Sequence, residues 1–174
     1  MKTLSIIIPV FNEEKTIKTL LKRVNDVKIN LIKKEIIVVS DGSTDNTDKI
    51  LSTEKNIKFL RHSKNLGKGA AVRTGLRQAT GDLVIIQDAD LEYDPKDYNK
   101  LLQPIFKKRT EVVYGTRLAN YPLKFWGRNK TVLPVHLLAN RFLTLLVNLL
   151  FRSKLTDMET GYKVFTKEVL SKLE

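Results

Sequence analysis

The stretch Leu83–Pro95, LVIIQDADLEYDP, reads as a buried strand that delivers Asp88, Asp90, Glu92 and Asp94 at its exit, in a chain whose formal net charge is +12. Carboxylates this close repel one another unless something positive sits among them. One reading is a solvated loop in which Asp94-Pro95 caps the next helix. The other is a divalent cation. Asp-X-Asp at a strand end can bring two carboxylates to one point. Mg2+ or Mn2+ prefers oxygen ligands, keeps waters and is completed by substrate phosphates. A nucleotide diphosphate is the natural third party, since the ion offsets its charge and assists its departure.

The elements that must hold these residues alternate from the start of the chain. LSIIIPV is strand-like, and Ile17, Leu20, Leu21, Val24 and Val27 then share one helical face. EIIVVS is a second strand. DGSTDNTDKIL turns into a helix with Ser43, Thr44 or Asp45 as its cap. IKFLR is a third strand, and NLGKGAAVRTGLRQAT is a glycine-bearing loop followed by a helix that stops at Gly81. DLVIIQ, a helix opening at Pro95, and the strand EVVYG complete the series. Strands that are apolar throughout, each followed by a helix, predict an α/β fold with a Rossmann-like, mostly parallel sheet covered on both faces. Such sheets bind ligands beyond the carboxyl ends of their strands. Asn12-Glu13, Ser40-Asp41-Gly42, the acidic cluster and Gly115-Thr116-Arg117 all fall at such ends.

At 174 residues the chain is read as one domain, and its lack of cysteine excludes a disulfide framework, a zinc–thiolate site and a thiol nucleophile. Lysine and arginine exceed aspartate and glutamate by 31 to 19, which favours anionic partners. No zinc-finger spacing, arginine-rich tail or aromatic ribonucleoprotein motif accompanies that excess, so no nucleic-acid partner is expected. The first residues, MKTLSIIIPVFNEE, read as a strand and not a signal peptide, because Pro9 interrupts the run and acids follow it. Residues 131–151 are long and leucine-rich, but Pro134, His136, Asn140, Arg141 and Asn148 argue against a transmembrane span. Arg141, Thr144, Asn148 and Arg152 form a polar stripe at helical spacing. The segment is either a core helix or one lying at a membrane surface or dimer interface.

Six ordered motifs carry a resemblance over nearly the whole chain: IIIPVFNEE, VVSDGSTDNT, NLGKGAAVRTG, IIQDADLEYDP, YGTR and LTDMETGYKVF. Together they resemble glycosyltransferase family 2, in its branch of polyprenyl-phosphate sugar transferases of the dolichyl-phosphate mannose synthase kind. The resemblance implies a single GT-A catalytic domain over 1–174, with the C-terminus shorter than is usual, and inverting transfer from a nucleotide-sugar donor of the GDP-mannose or UDP-glucose type. It implies that Pro9, Phe11 and Glu13 border the nucleobase and that Asp41 lies on the base or ribose side. Asp88, Ala89 and Asp90 would hold the ribose and metal-bound diphosphate, with Lys68 on the same nucleotide-sugar and Glu92 as a further metal ligand. Arg117 and Arg128 match basic positions that handle the acceptor phosphate, and Asp157 opens a second acidic motif near the sugar or acceptor. Asp90, Arg117 and Asp157 are the residues expected to carry catalysis.

The residues allow plainer roles as well. Asp41-Gly42 also reads as a turn, and Glu13 and Glu14 suit a helix N-terminus. Gly67-Lys68-Gly69 lacks the full spacing of a phosphate-binding P-loop. His136 has no partner with which to ligate a metal, and Tyr121, Phe125 and Trp126 suit packing as well as an acceptor or membrane-touching loop. A phosphate acceptor is already ionised near neutral pH and needs cations, not a base. An alcohol acceptor would need one, with Asp157 or Glu159 available. The expected partners are a nucleotide-sugar, a polyprenyl phosphate and the cytoplasmic membrane surface, with a homodimer or a membrane subunit as a further option. The alternatives are a family 2 transferase acting on a sugar hydroxyl in cell-surface polysaccharide synthesis and a non-catalytic sugar-nucleotide-binding module.

Overall fold

The computed structural model describes residues 1–116 and 134–172, with side chains described from residue 137 in the second segment. Two compact units divide the chain: Met1–Val113 with Gly161–Glu174, and Tyr114–Thr160.

The first unit is built on a sheet. β1 (Lys2–Val10), β2 (Ile32–Ser40), β3 (Lys58–Arg61) and β4 (Leu83–Ile86) run parallel. Between them lie α1 (Ile17–Asp26), α2 (Thr47–Leu51) and α3 (Lys68–Gln78). After β4 come a 3-10 turn at Pro95–Asp97, α4 (Tyr98–Phe106) and β5 (Val112–Tyr114). The sheet order is β3-β2-β1-β4-β6-β5, where β6 (Lys163–Thr166) pairs antiparallel with β4. That last strand lies outside the five expected from sequence. Its KVFT is short, and only its pairing with LVII of β4 identifies it as a strand.

Both faces of the sheet are covered, which is why the strands carry apolar residues without alternation. Leu4, Ile6, Ile8 and Val10 of β1 pack in the main core with Ile17, Leu20 and Val24 of α1 and with Leu102 and Ile105 of α4. On the other face, Ile37 and Val39 of β2 meet Ala71 of α3. α3 comes close because Gly75 has no side chain: a Cβ there would lie 2.5 Å from Ile7 Cγ2. Strand order reverses at β1, with β2 on one side and β4 on the other. An open α/β sheet leaves its ligand crevice at such a point.

Of the three caps expected after DGST, Asp45 serves the start of α2, its Oδ1 accepting from Thr47 N (2.9 Å), whereas Ser43 and Thr44 do not cap it. They latch the neighbouring loop instead: Asn12 N donates to Ser43 Oγ (3.1 Å) and Thr44 N to Asn12 Oδ1 (2.8 Å). Glu14 accepts from the Asn46 backbone and side chain, and Glu13 N donates to Thr47 Oγ1. The exits of β1 and β2 are thus tied into one rim.

In the second unit, α5 (Pro134–Phe151) is not long and apolar enough to cross a membrane, nor is any other helix among the described residues. Its burial inverts the ordinary pattern. Asn140 and Thr144 are buried, while Phe142, Leu145, Leu149, Leu150 and Phe151 are exposed. Asn140 Nδ2 donates to Asp157 Oδ1 (2.9 Å), Thr144 Oγ1 to Asn140 Oδ1, and Asn148 binds the Leu155 backbone through both its amide atoms. The inward polar stripe is therefore Asn140, Thr144 and Asn148. Arg141 and Arg152, which the sequence grouped with it, are exposed.

Candidate active site

Beyond the carboxyl ends of β1, β2 and β4 lies a cleft of about 290 Å³ lined by Pro9, Val10, Phe11, Glu13, Asp41, Asn65, Lys68, Ala71, Asp88, Ala89 and Asp90. All eight residues placed on the nucleotide-sugar from sequence lie on it. Val10, Asn65 and Ala71 complete its wall and were not singled out in the sequence. Asn65 was recoverable, since NLGKG opens the helix that also presents Lys68.

β4 is locked at its exit by a buried polar hub. Gln87 is fully buried, its Oε1 accepts from Tyr98 and Tyr162 hydroxyls at 2.8 Å each, and its Nε2 donates to Asp88 O at 2.9 Å. Burial, then the neighbouring Tyr162 and Asp94, push the Tyr98 hydroxyl well up from its ordinary pKa, so it stays a donor. Burial likewise raises Tyr162. Satisfied networks of this kind fix a unique geometry, here immediately before Asp88.

Asp88 itself is the most unusual acid in the cleft. Its Oδ1 is buried and 2.6 Å from Lys68 Nζ, close enough for an ion pair though not in hydrogen-bonding geometry. Its Oδ2 lies where a Cβ on residue 161 would sit, at 2.5 Å, so Gly161 of the DMETGYKVF motif makes room for the carboxylate. Gly161 N donates to Tyr93 Oη at 2.7 Å, and Tyr93 packs on Tyr162 with ring centroids 4.7 Å apart. Sequence reading missed this contact between the fourth and sixth motifs. Asp90 is exposed and accepts from Glu92 N at 3.0 Å. Glu92 is exposed and does not line the cleft. Asp94 takes the plain role foreseen for it, accepting from Lys96 N to cap the turn that begins at Pro95.

Asp41 is held from three directions. His62 Nδ1 lies 2.6 Å from Oδ1, Leu66 N donates to Oδ1 (3.0 Å) and Gly67 N to Oδ2 (2.7 Å). Burial alone would raise its pKa, but these hydrogen bonds outweigh it and keep the carboxyl below its ordinary value. The turn reading is also satisfied: Gly42 has φ +70°, and a Cβ there would collide with the Lys64 backbone at 2.5 Å.

Whether the cleft suits a divalent ion can be judged from its donors. Asp88 Oδ1 is a hard oxygen, withdrawn from water and balanced by one lysine, and Asp90 lies two residues on. Among the described residues no three His, Cys, Asp or Glu side chains gather into a metal-holding group. That donor set fits Mg2+ or Mn2+, which bind through one or two carboxylates plus phosphates and waters, better than an all-protein cage. Arg117 and Arg128 lie outside the described residues. Asp157, in the second unit, is fully buried.

The family model for glycosyl transferase family 2 matches residues 5–174. The chain belongs to glycosyltransferase family 2. Its mixed sheet is the GT-A fold of that family's solved members, and it is by family a glycosyltransferase. Among curated family 2 relatives, the UDP-N-acetylglucosamine–dolichyl-phosphate N-acetylglucosaminyltransferase of Methanococcus voltae is 31% identical over 191 residues, covering 99% of this chain and 72% of that protein. The dolichol-phosphate mannosyltransferase of Pyrococcus furiosus is 34% identical over 116 residues, 65% of this chain and 32% of that protein. Among solved structures, a Pyrobaculum calidifontis mannosyltransferase in complex with GDP-Man and Mn2+ has a TM-score of 0.68 at 21% identity, covering 98% of this chain and 46% of that one. The Mycobacterium tuberculosis glucosyl-3-phosphoglycerate synthase with Mn2+, UDP and glucosyl-3-phosphoglycerate reaches 0.71 at 23% identity, covering 98% and 58%. This chain spans about half the length of those two solved proteins.

Proposed function

We propose that this family 2 member transfers a sugar, with inversion, from a GDP- or UDP-linked donor to a polyprenyl phosphate, and that residues 1–174 act as one catalytic domain. The observation that carries the reading is the cleft at the reversal of strand order. There two carboxylates, a lysine and a buried Asp41 meet apolar Pro9, Phe11 and Ala89. An apolar wall suits a base, and the acid end suits a metal-bound diphosphate. The polyprenyl-phosphate transferases among its relatives favour the lipid acceptor.

In this account Pro9, Phe11 and Glu13 border the base and Asp41 accepts from the base or ribose. Asp88 and Asp90 are the ligands proposed for Mg2+ or Mn2+; Glu92, the third ligand expected from the resemblance, does not line the cleft and is not among them. When bound, that ion neutralises the diphosphate and stabilises it as a leaving group. An acceptor phosphate oxygen attacks the anomeric carbon. The bond from that carbon to the diphosphate oxygen breaks, and its electron pair leaves with the nucleoside diphosphate. The acceptor enters ionised, so no proton has to be removed. Arg117 and Arg128 are proposed to hold its phosphate, and Asp157 to serve the sugar or acceptor end, on the strength of their motifs. Asp90, Arg117 and Asp157 remain the proposed catalytic residues.

The exposed leucine face of α5, flanked by Arg141 and Arg152, favours docking on an anionic cytoplasmic leaflet, where apolar side chains enter and cations meet headgroups. The test is transfer of labelled sugar from GDP-mannose, UDP-glucose or UDP-N-acetylglucosamine into the organic phase with polyprenyl phosphate in vesicles. Label in the lipid fraction supports the proposal. Label transferred only to soluble oligosaccharides contradicts it in favour of a sugar-hydroxyl acceptor.

A further inference from the structure

His62 stands one residue past β3 and no motif reading singled it out. Its side chain is 12% exposed and joins two elements of the cleft wall. Nδ1 meets Asp41 Oδ1 at 2.6 Å, and Nε2 meets Thr74 Oγ1 at 2.9 Å. The His62 backbone is also fixed, its N–H donating to Ser40 O at 2.8 Å. Thr74 rides on α3, which Gly75 brings tight against Ile7 of β1. The imidazole therefore bridges a rigid helix to the buried carboxylate at the end of β2.

An ionised carboxylate offers about four acceptor positions. Three of those on Asp41 are taken, by His62, Leu66 N and Gly67 N. One position remains, on Oδ2. Its direction is set by the three donors that hold the group, and His62 is the side chain among them. The hydroxyl of Thr74 can donate to a neutral Nε2 or accept from a protonated one, so the bridge holds in either state of the ring. The arrangement differs from the general acid–base chain its Asp-His-Thr composition brings to mind. The imidazole sits behind Asp41, and the carboxylate, not the threonine, lines the cleft.

We propose that His62, oriented by Thr74, is a positioning residue that aims the remaining acceptor of Asp41 at a single N–H or O–H of the donor's nucleoside half. The inference rests on the reading of the cleft as a nucleotide site and assigns no contact between His62 and ligand. Its signature is selectivity: His62 governs affinity for the nucleoside and leaves the diphosphate end alone.

Calorimetry separates the two, with UDP, GDP and inorganic pyrophosphate as probes, each with Mn2+. The variants are His62→Leu, which removes both ring nitrogens, His62→Asn, whose amide can still donate toward Asp41, and Thr74→Val. A hydrogen bond to a charged group is worth roughly 10- to 100-fold in affinity. His62→Leu should weaken the preferred nucleoside diphosphate by about that factor, with pyrophosphate affinity unchanged within about twofold. His62→Asn should recover most of the loss, and Thr74→Val should show a smaller loss of the same selectivity. Equal loss of pyrophosphate would make His62 a general structural residue and overturn the proposal, as would unchanged nucleotide affinity in His62→Leu. If His62→Leu does not fold, Thr74→Val decides: unchanged nucleotide affinity overturns the proposal. Wild-type protein that binds pyrophosphate but neither nucleotide refutes the nucleotide reading itself, a result distinct from wild-type binding that His62 variants leave intact.

Discussion

Replacing Gly161 by alanine should cripple the cleft while sparing most of the fold. The new Cβ would lie 2.5 Å from Asp88 Oδ2, 2.7 Å from Tyr93 Cε2 and 3.0 Å from Tyr93 Cζ, where ordinary contact begins at 3.4 Å. Relief requires about 0.9 Å of movement at the carboxylate, the difference between 3.4 and 2.5 Å. Tyr93 is poorly placed to give way, being nearly buried, packed at a tilt against Tyr162 and accepting through its hydroxyl from Gly161 N. Asp88 has a freer tip, so the carboxylate turns. Overpacking of this kind costs about 1–3 kcal/mol of stability. Misplacing a group by about 1 Å at a reacting centre costs on the order of 100-fold in rate. The assay pairs urea denaturation with Mn2+-dependent nucleotide titration and sugar transfer. A folded Gly161→Ala protein that keeps wild-type affinity and turnover would refute the argument that Gly161 exists to seat Asp88.

Lys68→Met removes the counter-charge of Asp88. Because Lys68 is 60% exposed, solvent discounts the pair, and a loss of about tenfold in nucleotide affinity is expected by calorimetry. Acid should unfasten the base of β2: burial raises the Glu35 pKa, but donors Ser5 Oγ, Thr80 N and Thr80 Oγ1 outweigh it and leave the value below the ordinary 4.5. A depressed folded pKa contributes stability above the unfolded value and loses it as pH falls through the folded one. Denaturation curves should therefore show Glu35→Gln less stable than wild type at pH 7, with the gap closing below about pH 4.5; a gap independent of pH counts against the assignment. Leu145→Glu with Leu149→Glu, at positions 63% and 75% exposed, should leave thermal stability unchanged and cut sedimentation with anionic vesicles by at least about tenfold. Equal sedimentation would remove α5 from the membrane account.

Much of the site was legible because parallel α/β sheets convert sequence order into geometry. Once LSIIIPV, EIIVVS and DLVIIQ are strands, Phe11, Asp41 and Asp88 must share a rim. What escaped the sequence was either neutral or distant along the chain. His62 and Thr74 carry no charge pattern, and their roles appear only when α3 folds back across β1. Gly161 lies 73 positions beyond Asp88, and antiparallel β6 is what returns it to β4. α5 stayed open between a core and a surface helix for another reason. A leucine-rich helix is ordinarily read as leucine-in, yet Asn140, Thr144 and Asn148, spaced four apart, already mark one face. That face turns inward because Asp157 and the Leu155 backbone require its amides.

The most direct test of the account is calorimetric titration of the wild-type chain and Asp90→Ala with GDP and with UDP, each with and without Mn2+. The account predicts Mn2+-dependent binding of one nucleotide, lost in the variant. Binding that ignores Mn2+, or that survives Asp90→Ala unchanged, would contradict a metal-held diphosphate at the exit of β4.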